Sequence, residues 1–209
     1  MIKETGRYNK YYIKENSKAF LYPQEWIKMM GLAKPKQEIS LNILINTGAR
    51  YNEAKHIKVE DIDFVRNNLI LKVTKVRAKK KETKPTPRIL PISSKFAKQL
   101  KKYIRIYKLE SEDYFPMLQP AQLGVAIKNL ARKVGRKDYR DFSPHNIRKT
   151  FECWLVALDI SFIKIVKHLG HTMTVASNDY ISSDIFNNQD RHEIRVILGD
   201  LYDTQERRY

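Results

Sequence analysis

A single pair of strand-like segments in an otherwise helical chain constrains the fold more than any other feature of this sequence. Residues 69–76 alternate and are rich in β-branched side chains, and so are residues 88–92. The residues between them, 79–87, are polar, rich in lysine and interrupted by Pro85 and Pro87. This pattern predicts a β-hairpin with a cationic tip. We therefore expect a mostly α fold with one small antiparallel sheet, an α+β arrangement.

Helical spacing of apolar residues dominates the rest of the chain. One helix is predicted from residue 22 onward, and a second, built on the apolar residues 39–45, ends near Gly48. Arg50 therefore follows directly after a helix end. Ser143 and Pro144 provide an N-cap and a first-turn proline for a helix that continues to residue 158. Further helices are predicted over residues 96–107, 121–134, 162–169 and 184–201.

The two ends of the chain differ from its centre. Residues 1–22 are polar, basic and rich in tyrosine, without a clear helical or strand period, and are predicted to form an N-terminal arm or linker. Residues 23–209 are predicted to form one domain with a C-terminal helical tail. The tail carries an apolar stripe at helical spacing, made of Ile185, Ile194, Ile197, Leu198 and Leu201.

The charge of the chain points to a polyanionic partner. There are 40 lysine and arginine residues against 23 aspartate and glutamate residues, which gives a formal net charge of +17. Nucleic acid is the leading candidate. A membrane surface would attract the same charge, but no apolar run approaches the roughly 18 residues of a spanning helix. Because the N-terminus lacks the apolar core of a signal peptide, we expect an intracellular protein without membrane partners.

Cofactor chemistry finds little support in the sequence. The single cysteine, Cys153, lies in an apolar helical run and is expected to pack in the core. No histidine, cysteine or carboxylate cluster has the spacing of metal ligands. The basic segment 133–137 lacks the glycine pattern of a nucleotide phosphate loop. We therefore expect no cofactor, metal or ATP.

Four short segments contain residues that could act on a phosphodiester: Thr47–Arg50, the pair His145 and Arg148, Leu169–His171, and Tyr180. Attack of a side chain on DNA needs a nucleophile, cations around the phosphoryl oxygens, a base and an acid. A guanidinium suits the second task because its planar fork bonds two oxygens and stays charged. His145 and Arg148 are three residues apart in the first turn of a predicted helix, so they share one face near its positive dipole end.

Each of these residues alone has an ordinary explanation. Arg50 has Glu53 three residues later as a salt-bridge partner, and His145 could be a structural hydrogen bonder at a helix start. His171 could be a turn residue after a glycine, and Tyr180 is one of 12 tyrosines, any of which could simply pack. The order of all four segments between residues 50 and 180, rather than any one of them, indicates a catalytic site.

These segments resemble those of the tyrosine recombinases, the phage-type integrases, over residues 22–185. Residues 44–53 look like the family's first motif, which ends in arginine, two residues and glutamate, and residues 89–92 look like the second strand of its hairpin. Residues 143–151 and 168–171, followed by Tyr180, look like its second motif. The resemblance implies the family's catalytic-domain fold and site-specific DNA recombination by a mobile-element integrase, with archaeal and viral integrases among the candidates.

The resemblance also implies a role for each residue. Tyr180 would attack the phosphate to give a 3′-phosphotyrosyl link and a free 5′-hydroxyl. Arg50 and Arg148 would hold the phosphoryl oxygens and stabilise the transition state. His145 would act as the general base, and His171 would be a further phosphate ligand.

Two parts of the family pattern are altered here. The family places a catalytic lysine, which protonates the leaving oxygen, at the end of the first hairpin strand. Here the lysines lie in a longer tip, and Lys81, then Lys79, are the candidates. Family members also usually carry an N-terminal helical clamp domain of at least about 50 residues. Residues 1–22 are too few for it, so we expect an isolated catalytic domain or a minimal recombinase.

The partners implied by the resemblance are double-stranded DNA and three further copies of the chain, a homo-tetramer around two duplexes. The tail would pack either on a neighbouring subunit or back on its own domain. Whether the chain is a monomer in the absence of DNA stays open.

Two alternative functions also stay open: DNA relaxation like that of a type IB topoisomerase, and DNA binding without catalysis by the same fold. The Leu169-Gly170-His171 motif favours the recombinase over the topoisomerase.

Overall fold

The polypeptide in this computed structural model is described over residues 2–5, 8–12, 19–72, 87–170 and 185–202. In the first two ranges only the strands themselves are described. Four of the predicted site residues lie outside these ranges: Lys79, Lys81, His171 and Tyr180.

An N-terminal hairpin occupies part of the predicted arm. Strands β1 (Ile2–Thr5) and β2 (Tyr8–Tyr12) pair in antiparallel register. The sequence shows no strand period here, because segments of 4 and 5 residues are too short for alternation to be visible. The tyrosine-rich composition of β2 suits a strand. The function of residues 1–22 as an arm or linker stays a prediction.

A helix buried on every side forms the centre of the fold. Helices α1 (Pro23–Leu32) and α2 (Pro35–Thr47) each begin with a proline, where no intrahelical amide bond is lost. Residues 39–47 of α2 are all buried, the pattern of a helix surrounded by other elements. Arg50 follows the end of α2 as predicted, and the short helix α3 (Tyr51–Ala54) begins directly after it.

The predicted hairpin forms two strands of a three-stranded antiparallel sheet. The strands β3 (Ile62–Asp63), β4 (Asn68–Leu71) and β5 (Arg88–Pro91) follow one another in this order across the sheet. Leu69 and Leu90 face each other across β4 and β5 and are buried. Leu71 pairs with Arg88, so the described part of the hairpin ends at this pair.

Two further helices follow the sheet. The core face of α4 (Ser94–Tyr107) buries Phe96 and Tyr103, and the hydroxyl of Tyr103 accepts a 2.8 Å hydrogen bond from Asn42 of α2. After α5 (Pro120–Lys133) the chain continues into a basic segment, residues 136–140. Arg136 is buried there and donates hydrogen bonds to Glu25 of α1 at 3.2 Å.

Three more helices complete the core of the described part of the chain. The helix α6 (Pro144–Ala157) packs along α2 and also positions Trp154, whose indole donates a 2.9 Å hydrogen bond to the Leu21 carbonyl. The helix α7 (Phe162–Leu169) ends at Gly170 as predicted. The helix α8 (Asn188–Leu198) packs on α1 and α6.

The C-terminal tail packs on its own domain over residues 185–202. Ile194, Leu198 and Leu201 are buried, and the ring of Phe186 lies 5.8 Å from Phe20. The sequence left two placements open for the tail, on a neighbouring subunit or on its own domain. In the described residues the tail packs on its own domain.

Ile194→Ala should lower the free energy of unfolding by about 2–5 kcal/mol, because it removes buried methyl groups and leaves a cavity. Val196 on the same helix is 54% exposed and provides the matched control. Val196→Ala should change that free energy by no more than about 0.5 kcal/mol. Urea denaturation measures both effects. Equally small effects would show that α8 is not part of the domain core in solution.

Candidate active site

The end of α2 positions Arg50 through a glycine turn. Gly48 has a φ of +57°, and its amide donates a 2.9 Å hydrogen bond to the Leu44 carbonyl, which is a left-handed helix cap. A Cβ at this position would lie 2.4 Å from the ring of Phe151 and 2.8 Å from Leu169. A glycine therefore lets the end of α2 approach α6 and α7, and Arg50 follows two residues later.

The helix α6 buries the guanidinium of Arg148 against two main-chain carbonyls. Nη1 donates to the Gly48 carbonyl at 2.6 Å, and Nη2 donates to the Leu169 carbonyl at 2.7 Å. Both carbonyls lie at helix ends, where the helix itself leaves them without a partner. Arg148 is 2% exposed, and its Nε has no hydrogen-bond partner in the described part of the chain. The two bonds fix the guanidinium relative to both α2 and α7.

Glu53 connects two further arginines. The backbone amide of Arg50 donates to Oε2 of Glu53 at 2.9 Å, and the side-chain Nη1 of Arg50 donates to Oε1 of Glu53 at 3.1 Å. The predicted ion pair between these residues is thus present. Arg88, the first residue of β5, donates from Nη2 to Oε2 of Glu53 at 3.0 Å and from Nη1 to the Leu169 carbonyl at 2.5 Å. We refer to Arg50, Arg88, Arg148 and Glu53 as the arginine cluster.

The arginine cluster has an excess of positive charge, because it contains three guanidinium groups and one carboxylate, which pairs with Arg50 and Arg88. Burial, together with repulsion from Arg50 and Arg88, lowers the pKa of Arg148 to about 9, which leaves it charged at neutral pH. Burial also lowers the pKa of Arg88, against the attraction of Glu53. The side chain of Arg50 is 46% exposed and opens the cluster to solvent. The arrangement favours an anion beside Arg50.

The first turn of α6 holds His145. Ser143 is the N-cap as predicted, and its amide donates a 2.9 Å hydrogen bond to Oδ1 of Asn146. His145 is exposed, whereas Arg148, one turn further along the helix, is buried. The positive end of the helix dipole lies at this turn. The structure thus puts His145 at the surface end of the same helix that buries Arg148.

His168 links α7 to the end of α2 and to the tail. Its Nε2 lies 2.9 Å from the Thr47 carbonyl, and its Nδ1 lies 2.6 Å from the Tyr202 hydroxyl. Because a carbonyl only accepts, Nε2 carries the hydrogen and Nδ1 accepts from Tyr202. Burial lowers the pKa of His168 to about 4, so the ring stays neutral at neutral pH.

The structure places Arg50 and Arg148 in one cluster, close enough for their charges to repel. The catalytic roles of all the predicted site residues stay predictions: Arg50, His145, Arg148, Lys79, Lys81, His171 and Tyr180. The last four of these lie outside the described ranges.

Arg88 and His168 were not predicted as site residues. The sequence offers only a weak signal for each of them. Arg88 is a charged residue at the start of an apolar strand, and His168 is a histidine on the apolar face of a short helix.

The described ranges contain neither a cluster of metal ligands nor a membrane-spanning helix. Across those residues, no group of three or more histidine, cysteine, aspartate and glutamate side chains is arranged to hold a metal ion. None of the helices described is both long and apolar enough to cross a membrane.

The fold and the site together define a mostly helical domain with a positively charged arginine cluster. The chain belongs to the phage integrase family, whose model matches residues 19–185. A tyrosine recombinase of Pseudothermotoga lettingae is 26% identical over 168 residues, which is 78% of this chain and 55% of that protein. The tyrosine recombinase XerA of Saccharolobus solfataricus is 33% identical over 138 residues, 66% of this chain and 43% of that protein. The chain spans about half the length of these relatives.

Solved structures share the fold. A XerA recombinase has a TM-score of 0.61 at 17% identity, covering 87% of this chain and 65% of that one. The Tn1549 transposon integrase in complex with transposon right end DNA has a TM-score of 0.64 at 17% identity, covering 88% and 67%. These similarities confirm the predicted tyrosine recombinase catalytic-domain fold.

His168 should make the stability of the domain sensitive to acid. An unfolded histidine binds a proton below its ordinary pKa of 6.5, whereas folded His168 does so only near pH 4. The stabilisation is therefore fully present above pH 6.5 and is lost as the pH falls from 6.5 to 4. The loss in unfolding free energy should reach roughly 3 kcal/mol.

His168→Gln should flatten this dependence, because an amide can donate to Thr47 and accept from Tyr202 without binding a proton. Urea denaturation across the same pH range measures the slope. The exposed His56 provides the control, and His56→Gln should keep the wild-type slope. Equal slopes in the wild type and His168→Gln would contradict the assignment.

Proposed function

We propose that this chain is the catalytic domain of a site-specific DNA recombinase of the integrase type. It would cut and rejoin double-stranded DNA through a 3′-phosphotyrosyl intermediate. The arginine cluster carries the proposal, because it holds two arginines in fixed positions with an excess of positive charge that a phosphodiester would neutralise. Membership of the phage integrase family over residues 19–185 supports the same reaction.

Arg50 and Arg148 would bond the non-bridging oxygens of the phosphate that is cleaved. These oxygens carry more negative charge in the transition state than in the ground state, so cations fixed beside them lower the barrier. The carbonyls of Gly48 and Leu169 already orient Arg148, and Glu53 already orients Arg50. The phosphate would reach the 46% exposed side chain of Arg50 directly, whereas DNA binding would have to uncover Arg148, which is 2% exposed.

Tyr180 would be the nucleophile. Its oxygen forms a bond to phosphorus while the bond from phosphorus to the 5′ oxygen breaks, and the tyrosine proton passes to His145 as general base. Lys81, or Lys79 as the second candidate, would protonate the departing 5′ oxygen, and His171 would add a phosphate contact. The phosphotyrosyl ester conserves the energy of the broken bond, so a 5′-hydroxyl can reverse the step without ATP.

The assembly on DNA would be a homo-tetramer around two duplexes, and the free chain would be a monomer. The packing of residues 185–202 on their own domain supports a self-sufficient single chain. Strand exchange between duplexes would require the tail to move onto a neighbouring subunit.

Tyr180→Phe should abolish covalent attachment to DNA while leaving duplex binding nearly intact, because the change removes only the nucleophilic oxygen. The measurement is a denaturing gel of protein incubated with a nicked duplex that traps the covalent product. Covalent product in this variant would show that another tyrosine attacks. Site-independent relaxation of supercoiled plasmid by the wild type would instead favour the topoisomerase alternative.

Arg50→Ala and Arg148→Ala should each slow cleavage by a factor on the order of 10² or more, as expected for a lost electrostatic contact in the transition state. The same trapping assay, followed over time, gives the rates. Arg66→Ala is the matched control, because Arg66 is exposed and pairs with Asp63 in the turn before β4. Wild-type rates in a folded Arg50 or Arg148 variant would refute the role of that residue.

A further inference from the structure

We infer that Arg88 is a positioning residue for the proposed DNA cleavage, holding the two catalytic arginines in one rigid unit. It acts on Arg50 through Glu53 and on Arg148 through the Leu169 carbonyl. The inference rests on the proposed function, since it concerns the rate of the same reaction.

Each group that Arg88 binds also binds one of the two catalytic arginines. Oε2 of Glu53 accepts from Nη2 of Arg88 at 3.0 Å and from the Arg50 amide at 2.9 Å. The Leu169 carbonyl accepts from Nη1 of Arg88 at 2.5 Å and from Nη2 of Arg148 at 2.7 Å. Arg88 therefore lies between the two arginines in the hydrogen-bond network and connects them.

The network closes into a ring. Arg148 also donates to the Gly48 carbonyl, which precedes Arg50 by two residues in the chain. Without Arg88 this ring opens between Glu53 and Leu169. The planar fork of a guanidinium can reach two acceptors at a fixed angle, whereas a lysine ammonium lacks that geometry.

The backbone beside Arg88 is built to admit its guanidinium. Gly170 follows Leu169 with a φ of +63°, and a Cβ there would lie 1.6 Å from Nη1 of Arg88 and 2.7 Å from its Cζ. Any side chain at position 170 would displace the guanidinium from the Leu169 carbonyl. A glycine at this point thus serves the passage of Arg88 as well as the end of α7.

Arg88 is more buried than Arg50, the exposed arginine of the cluster. The side chain of Arg88 is 16% exposed, whereas that of Arg50 is 46% exposed. The Nε of Arg88 is buried without a partner among the residues described here. Arg88 binds Glu53 and the Leu169 carbonyl, the groups that also bind Arg50 and Arg148, so its effect on the phosphate is transmitted through those two arginines.

The test uses the full chain and the nicked duplex that traps covalent product. Arg88→Met removes the donors and keeps the length of the side chain, Arg88→Lys keeps the charge, and Arg66→Met is the control. Arg66 lies in the turn at the opposite end of β4 from the pair of Leu71 and Arg88. The measurements are the single-turnover rate of covalent attachment at saturating DNA, the DNA affinity and the thermal unfolding midpoint.

Arg88→Met should slow attachment by about 10- to 100-fold, as expected for displaced catalytic groups. DNA affinity should stay at the wild-type value, Arg88→Lys should be intermediate in rate, and Arg66→Met should match the wild type. The double variant with Glu53→Gln should be no slower than the slower single variant, because both changes open the same ring.

Three results would overturn the inference: a wild-type rate in folded Arg88→Met, a loss confined to DNA affinity, or rate losses that multiply in the double variant. If Arg88→Met does not fold, Arg88→Lys decides, and a full rate in that variant would also overturn it. No covalent product from the wild type would instead refute the proposed function itself.

Discussion

The carbonyl of Leu169 accepts hydrogen bonds from two arginines that come from different parts of the chain, and the geometry of the site depends on it. It is the last carbonyl of α7, where the helix leaves it free and the dipole makes it negative. The helix must therefore end at this residue, and Gly170 must follow it. The same requirement acts at the end of α2, where Gly48 offers its carbonyl to Arg148.

The arginine cluster is arranged at the expense of electrostatic stability. Burying like charges near one another is unfavourable, and Glu53 is shared by Arg50 and Arg88. The neutral state of His168 belongs to the same balance, because Arg88 and Arg148 both disfavour a proton on its ring. Such local strain is characteristic of sites that are organised before the ligand binds.

Local signals in the sequence predict most of the fold. The helical periods place α1, α2 and α4 to α8, and Gly48 and Gly170 correctly mark two helix ends. The hairpin follows from its β-branched segments, although β1 and β2 are too short to be recognised.

Contacts distant in the sequence account for what could not be predicted. Arg136 donates a hydrogen bond to Glu25, which lies 111 positions away in the sequence. The basic segment around Arg136 therefore gives no local sign that this side chain is buried. Arg50 and Arg148 were predicted from their motif, but Arg148 is held by main-chain carbonyls, which every residue possesses. The bond between His168 and Thr47 spans 121 positions and leaves no local signal.

The packing of α8 on its own domain has a kinetic consequence. Phe186, Ile194 and Leu198 lie in the common core, and exposing each such side chain costs about 1.5–3 kcal/mol. A second copy of the chain offers an identical acceptor surface, so exchange of this helix would preserve the contacts and change only the chain that supplies them. The kinetic barrier to exchange would then be the detachment of α8 from its own domain. The ratio of the exchanged form to the form in which α8 packs on its own domain would rise with the local concentration of the protein.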